Sequence, residues 1–126
     1  MLFTYLKRKR YLREANALDL TPVRCLHSEQ GDDGLTTLLI TKFKNKKIAS
    51  FVLPGTKSNT IRLKLDETGS RVWEAVDGSA KIMDISRFLR ESSVDGFPQA
   101  EERVSKFLLR MYQDRFISFK ELQLIK

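Results

Sequence analysis

Reactive side chains are scarce in this 126-residue sequence, and their spacing limits what they could do together. There is one cysteine, Cys25, and one histidine, His27. Alternation along a strand would put both on the same side, but two ligands fall short of the four that a closed zinc site needs. A lone histidine on a strand is ordinarily a packed or surface side chain. The pair Asp32 and Asp33 lies between Gly31 and Gly34, where turn chemistry accounts for it better than acid catalysis. The glycines form neither a dinucleotide fingerprint nor a phosphate loop. The reading is therefore of a chain with no metal, no redox cofactor and no catalysis of its own. A single cysteine also excludes an internal disulfide and fits a reducing compartment.

What the sequence offers instead is charge. Twenty-three lysines and arginines against sixteen acids give a net charge of +7, which points to a nucleic acid, an anionic lipid or an acidic peptide as partner. The basic residues cluster in "KRKRYLR" (7–13), at Lys42, Lys44, Lys46 and Lys47, and at Arg103, Lys106 and Arg110. The last three recur at spacings of three and four beside Phe107, so a helix would set them on one face. The same pattern describes the solvated side of any amphipathic helix. No apolar run approaches membrane-spanning length. The order "MLFTYL" before "KRKR" reverses that of a secretory signal, so the expectation is a cytoplasmic protein without membrane association.

The elements that must position these residues follow from periodicity. Residues 1–20 read as an N-terminal extension, helical at its start, with Leu2, Phe3 and Leu6 packed inward. From Pro22 the pattern alternates through Ser28 to the turn "GDDG"; "LTTLLITKF" (35–43) and "IASFVLP" (48–54) flank "KNKK" as a second hairpin; and "TIRLKL" (60–65) places Ile61, Leu63 and Leu65 inward with Arg62 and Lys64 outward. Residues 22–65 thus form an antiparallel β-meander. At Leu65 the period changes from 2 to 3.6. Asp66 or Thr68 caps a helix with Val72, Trp73 and Val76 inward, ended by Asp77-Gly78. A second helix over about 81–91 turns Ile82, Ile85, Phe88 and Leu89 inward. Pro98, Glu101 and Glu102 open a third, with Val104, Phe107, Leu108, Met111 and Tyr112 as its stripe. Residues 66–115 are this three-helix part, and 116–125 alternate as a terminal strand. Residues 1–126 form one α+β domain of winged-helix-turn-helix type. A winged-helix nucleic-acid binder is one reading of this order; against DNA, the third helix opens as "PQAEER", with two acids where bases or phosphates would be approached.

"IRLKLDETGSRVWEAVDG", followed by "IMDISRFLRESS" and "AEERVSKFLLRMYQDRFI", resembles the PqqD family of pyrroloquinoline quinone biosynthesis and the related recognition domains of ribosomally made, modified peptides. The resemblance covers residues 60–117. It implies a winged-helix-turn-helix that no longer reads DNA, binds the leader of a precursor peptide, and presents it to a modifying enzyme, often a radical S-adenosylmethionine enzyme. It implies a peptide-binding edge strand at Thr60, Ile61, Arg62, Leu63, Lys64 and Leu65, and a helix wall including Arg103, Lys106, Phe107 and Arg110, with the leader in the cleft between them. A basic wall would favour an acidic leader. "DETG" and "VDG" are implied to be architectural. The family often has Gly where this chain has Arg115. Homodimerisation through an exposed strand edge or the N-terminal segment is a further expectation.

Overall fold

A computed structural model describes residues 2–14, 16–41 and 60–123, and the side chains of 4–11, 16–41 and 60–123. The second arm of the lysine-flanked hairpin, 48–54, and Lys42, Lys44, Lys46 and Lys47 lie outside the described residues, as do the side chains of Leu2 and Phe3. Antiparallel strands followed by helices and a C-terminal strand make up the chain, an α+β arrangement as its periodicity demands. It divides into two compact units: Leu26–Ser70, and the segments on either side, Met1–Cys25 with Arg71–Lys126.

Among the described residues, the unit Leu26–Ser70 holds a three-stranded antiparallel sheet of β1 (His27–Gln30), β2 (Thr36–Thr41) and β3 (Thr60–Lys64), in that order. β1 pairs with β2 from His27↔Leu39 to Gln30↔Thr36, and β2 with β3 from Thr37↔Lys64 to Thr41↔Thr60. The "GDDG" turn closes the first hairpin. Gly31 N–H donates to the Leu35 carbonyl at 2.9 Å, the Asp33 carboxylate accepts from Leu35 N–H at 3.0 Å, and Gly34 takes φ +79°, a conformation open to glycine without cost. Cross-strand partners share a face, so the register places Leu38, Ile40, Ile61 and Leu63 together, with Leu65 following on the same side. Leu38 and Leu65 are buried, but Ile61 and Leu63 are 43% and 40% exposed. The sequence placed all three of Ile61, Leu63 and Leu65 inward; alternation chooses a face and does not cover it.

The other unit contains α1 (Leu2–Glu14), a 3-10 turn at Ala17–Asp19, and β4 (Pro22–Arg24). It continues through α2 (Glu67–Ala75, the unit boundary falling within this helix), α3 (Ile82–Ser92), α4 (Ala100–Gln113), β5 (Ile117–Phe119) and α5 (Lys120–Gln123). β4 pairs antiparallel with β5 from Pro22↔Phe119 to Arg24↔Ile117. The alternating run Val23–Ser28 is therefore not one strand of the meander: it breaks at Cys25 and Leu26, giving its first half to β5 and its second to β2. The C-terminal strand ends at Phe119, where the chain turns helical, although alternation pointed to a strand through 125. At this switch Lys120 N–H donates to the Thr21 carbonyl at 2.9 Å, and the Glu121 carboxylate in the helical turn accepts from the N–H of Thr21 at 2.7 Å and from its hydroxyl at 2.8 Å.

Trp73, Val72 and Val76 on α2, Ile82, Ile85 and Leu89 on α3, and Val104, Leu108 and Met111 on α4 are buried, as their spacing requires. Phe88 is not, at 51% exposed, and neither is Leu6 on α1, at 50%. Phe88 sits at the margin of the α3 stripe, and the basic run Lys7–Arg10 interrupts the apolar residues of α1, so apolar character alone does not bury either side chain. Pro98 precedes α4 instead of opening it: Gln99 at φ +58° is the N-cap and Ala100 the first helical residue.

Candidate functional site

One candidate surface, in the unit Leu26–Ser70, is the edge of β3. Among the described residues, β3 has a ladder partner on one side only, β2. The direction of its backbone groups follows from one bond: Leu65 N–H donates to the Thr36 carbonyl at 2.8 Å. Hydrogen-bonded pairs alternate along an antiparallel ladder. The inward set is therefore Leu65, Leu63 and Ile61, and the N–H and C=O groups of Arg62 and Lys64 point away from β2. Sequence leaves these two parities equal.

On the face opposite Ile61 and Leu63, charges are matched within the sheet. The Arg62 guanidinium bonds Glu29 at 2.6 Å and the Lys64 ammonium bonds Asp33 at 2.5 Å. The Lys64 bond, with the Leu35 N–H, holds the Asp33 carboxyl below the usual carboxylate range. Leu65 faces inward in both backbone and side chain, and so anchors the strand end.

Immediately after the strand, Asp66, Asp77 and Gly78 of "DETG" and "VDG" shape the chain. Asp66 is the cap, its carboxylate accepting from Gly69 N–H at 2.7 Å. Asp77 accepts from the N–H groups of Ser79 and Ala80, both at 2.8 Å, and Gly78 adopts φ +82°. These bonds, the Ala80 bond foremost, lower the Asp77 pKa. Arg24 of β4 fixes the other end of α2: its guanidinium lies 5.3 Å from the Trp73 ring centroid and donates to the Trp73 carbonyl at 2.7 Å.

A separate candidate surface, in the other unit, is the outer face of α4. Arg103, Lys106 and Arg110 are exposed and Phe107 half-buried, as a face at spacings of three and four implies. Each cation has a partner close in sequence. Arg103 stacks 3.8 Å from the Phe97 ring centroid and reaches the Pro98 carbonyl at 3.4 Å; Lys106 pairs with Glu102 at 3.0 Å; Arg110 pairs with Asp114 at 3.2 Å. The two i,i+4 pairs were readable from the sequence, since four residues is one helical turn. The partners Glu29, Asp33 and Phe97 were not, because strand register and a loop bring them in.

Cys25 and His27 are both exposed, and among the described residues no group of three His, Cys, Asp or Glu side chains is placed to hold a metal ion. No described helix is long and apolar enough to cross a membrane.

Among the described residues, the fold is that of an α+β protein with a strand edge that has no ladder partner, and Asp66, Asp77, Arg62 and Lys64 serve caps, turns and ion pairs. The model of the coenzyme PQQ synthesis protein D (PqqD) family matches residues 52–117, just over half of the chain, and the chain belongs to that family. Among curated proteins and solved structures no match was found.

Proposed function

We propose that this protein is a noncatalytic binding module that takes the leader of a ribosomally made precursor peptide by β-strand addition and presents it to a separate modifying enzyme of the radical S-adenosylmethionine type. Family membership supports a role in the biosynthesis of coenzyme PQQ or a related product. The observation that carries the peptide reading is the β3 edge, where the N–H and C=O groups of Arg62 and Lys64 point away from β2. A disordered leader gains main-chain bonds there and side-chain selection at alternate positions. The peptide-binding residues are Thr60, Ile61, Arg62, Leu63, Lys64 and Leu65 on and after β3, and Arg103, Lys106, Phe107 and Arg110 on α4. The protein acts in the cytoplasm without a metal or redox cofactor, and pairing of two copies through a strand edge or the N-terminal segment is compatible with this role.

The net charge of +7 favours a second reading, a winged-helix nucleic-acid binder. Local pairing of the α4 cations with Glu102 and Asp114 weakens it. The two separate in a titration at physiological salt of labelled duplex DNA and of synthetic leader peptides, taken from any short open reading frame found beside the gene. Saturable peptide binding without DNA binding is expected. DNA binding at micromolar concentration with a steep salt slope, and no peptide binding, would sink the peptide reading.

A further inference from the structure

Basic residues are the obvious basis for choosing a peptide here, and they are already engaged. Arg62 and Lys64 are bonded to Glu29 and Asp33, Lys106 and Arg110 to Glu102 and Asp114, and Arg103 to the Phe97 ring and the Pro98 carbonyl. An acidic side chain arriving at any of them must displace an existing partner, so its net gain is small for exposed groups in water. Ile61 and Leu63 are in the opposite situation. They are aliphatic, alternate along the edge strand, lie on the face that carries buried Leu38, and remain 43% and 40% exposed.

Strands in a sheet lie about 4.8 Å apart, and every second side chain of an added strand falls on the same face as its neighbours. A peptide bonded to the outward groups of Arg62 and Lys64 therefore sets side chains i and i+2 beside Ile61 and Leu63 and covers the aliphatic surface that β2 leaves open.

Resting on the strand-addition reading, we infer that Ile61 and Leu63 determine specificity: the peptide taken at β3 is selected for aliphatic residues at two alternate positions, and acidic charge contributes little. Its preferred pattern is aliphatic–any–aliphatic, with tolerant positions between and on either side.

The test selects randomised octapeptides displayed on phage against the immobilised full chain, then measures enriched sequences as fluorescein-labelled synthetic peptides by anisotropy. Enrichment of Leu, Ile or Val at positions i and i+2 is expected. Changing both to serine should weaken binding by about tenfold or more, and raising salt from about 0.1 to about 0.5 M should change affinity by less than about threefold. Leu63→Thr and Ile61→Thr keep strand-compatible side chains and should each shrink the aliphatic-over-serine preference, with melting temperature reporting that the fold is kept. Enrichment of Asp or Glu with steep salt dependence, and a preference untouched in folded threonine variants, would overturn the inference while leaving strand addition standing. Absence of binding by any displayed or synthetic leader peptide would overturn the strand-addition reading and this inference with it. Because the selection itself uses the unaltered chain, its outcome does not depend on either variant folding.

Discussion

The backbone N–H of Thr36 donates to the hydroxyl oxygen of Ser70 at 2.8 Å, and the same hydroxyl lies 3.4 Å from the Leu65 carbonyl. One buried side chain thus ties the first residue of β2 and the residue after β3 to the start of α2, where the chain passes from strand to helix. With the Leu65 to Thr36 bond, it sets the register that points Arg62 and Lys64 outward. Ser70→Ala removes the hydroxyl that accepts from the Thr36 N–H and should cost about 1–3 kcal/mol. A lowered denaturation midpoint with unchanged slope would show it, and a midpoint equal to wild type would contradict the assignment.

Proline scanning of β3 reads the backbone parity directly. Ile61→Pro and Leu63→Pro remove donors that face β2 and should unfold the sheet or lower the melting temperature by several degrees. Arg62→Pro and Lys64→Pro remove donors that face away, the arrangement an edge strand tolerates. These two should stay folded but lose retention on an immobilised precursor peptide. The reverse pattern would place the open edge on the other set.

Arg115→Gly should stabilise the protein. Arg115 sits at φ +65° just past α4, with its N–H on the Tyr112 carbonyl at 3.0 Å and the Phe116 N–H on the Met111 carbonyl at 2.9 Å. This is the helix-ending motif in which glycine is favoured, because a Cβ makes the left-handed conformation costly by roughly 1 kcal/mol. An upward shift in chemical denaturation of about that size is expected; a loss would mean the Arg115 side chain stabilises the helix end by more than its backbone costs.

The Glu121–Thr21 bonds predict an acid-sensitive component of stability. Burial acts to raise the Glu121 pKa, but the Thr21 N–H and hydroxyl outweigh it and the net shift is downward. A carboxyl with a lowered native pKa stabilises the fold fully above its unfolded value, near about 4.3. That contribution is lost as pH falls through the lower native value. Glu121→Gln should therefore be less stable than wild type near neutrality, and the difference should shrink in denaturation curves below about pH 4. A difference constant with pH would contradict it.

Much of the molecule is legible locally. Val72, Trp73 and Val76 announce a buried helix face by their spacing, Asp66 its cap and Gly78 its stop, because each signal depends on residues within a turn of one another. Positions at the margin of a pattern misled: Phe88 and Leu6 are apolar but exposed, since spacing fixes a direction on a helix and not what covers it. The strand expected from Val23 to Ser28 failed for a related reason. Both halves alternate equally well, and nothing local shows that they pair with β5 and β2 respectively.

By itself the sequence determined the helices α2, α3 and α4, the cap at Asp66 and the stop at Gly78, the turn at Gly31–Gly34, the family motif, and which side chains of Thr60–Leu65 share a face. These are properties of short stretches, governed by steric preference and periodicity. Only the tertiary structure decided which backbone groups of β3 point outward, that Ile61 and Leu63 stay exposed while Leu65 is buried, and that Arg62, Lys64 and Arg103 already have partners. Those outcomes depend on register and on contacts between residues distant in the chain, such as Thr36 with Ser70 and Glu29 with Arg62. Two strands of equal propensity can pair in either parity until a third element holds one of them in place.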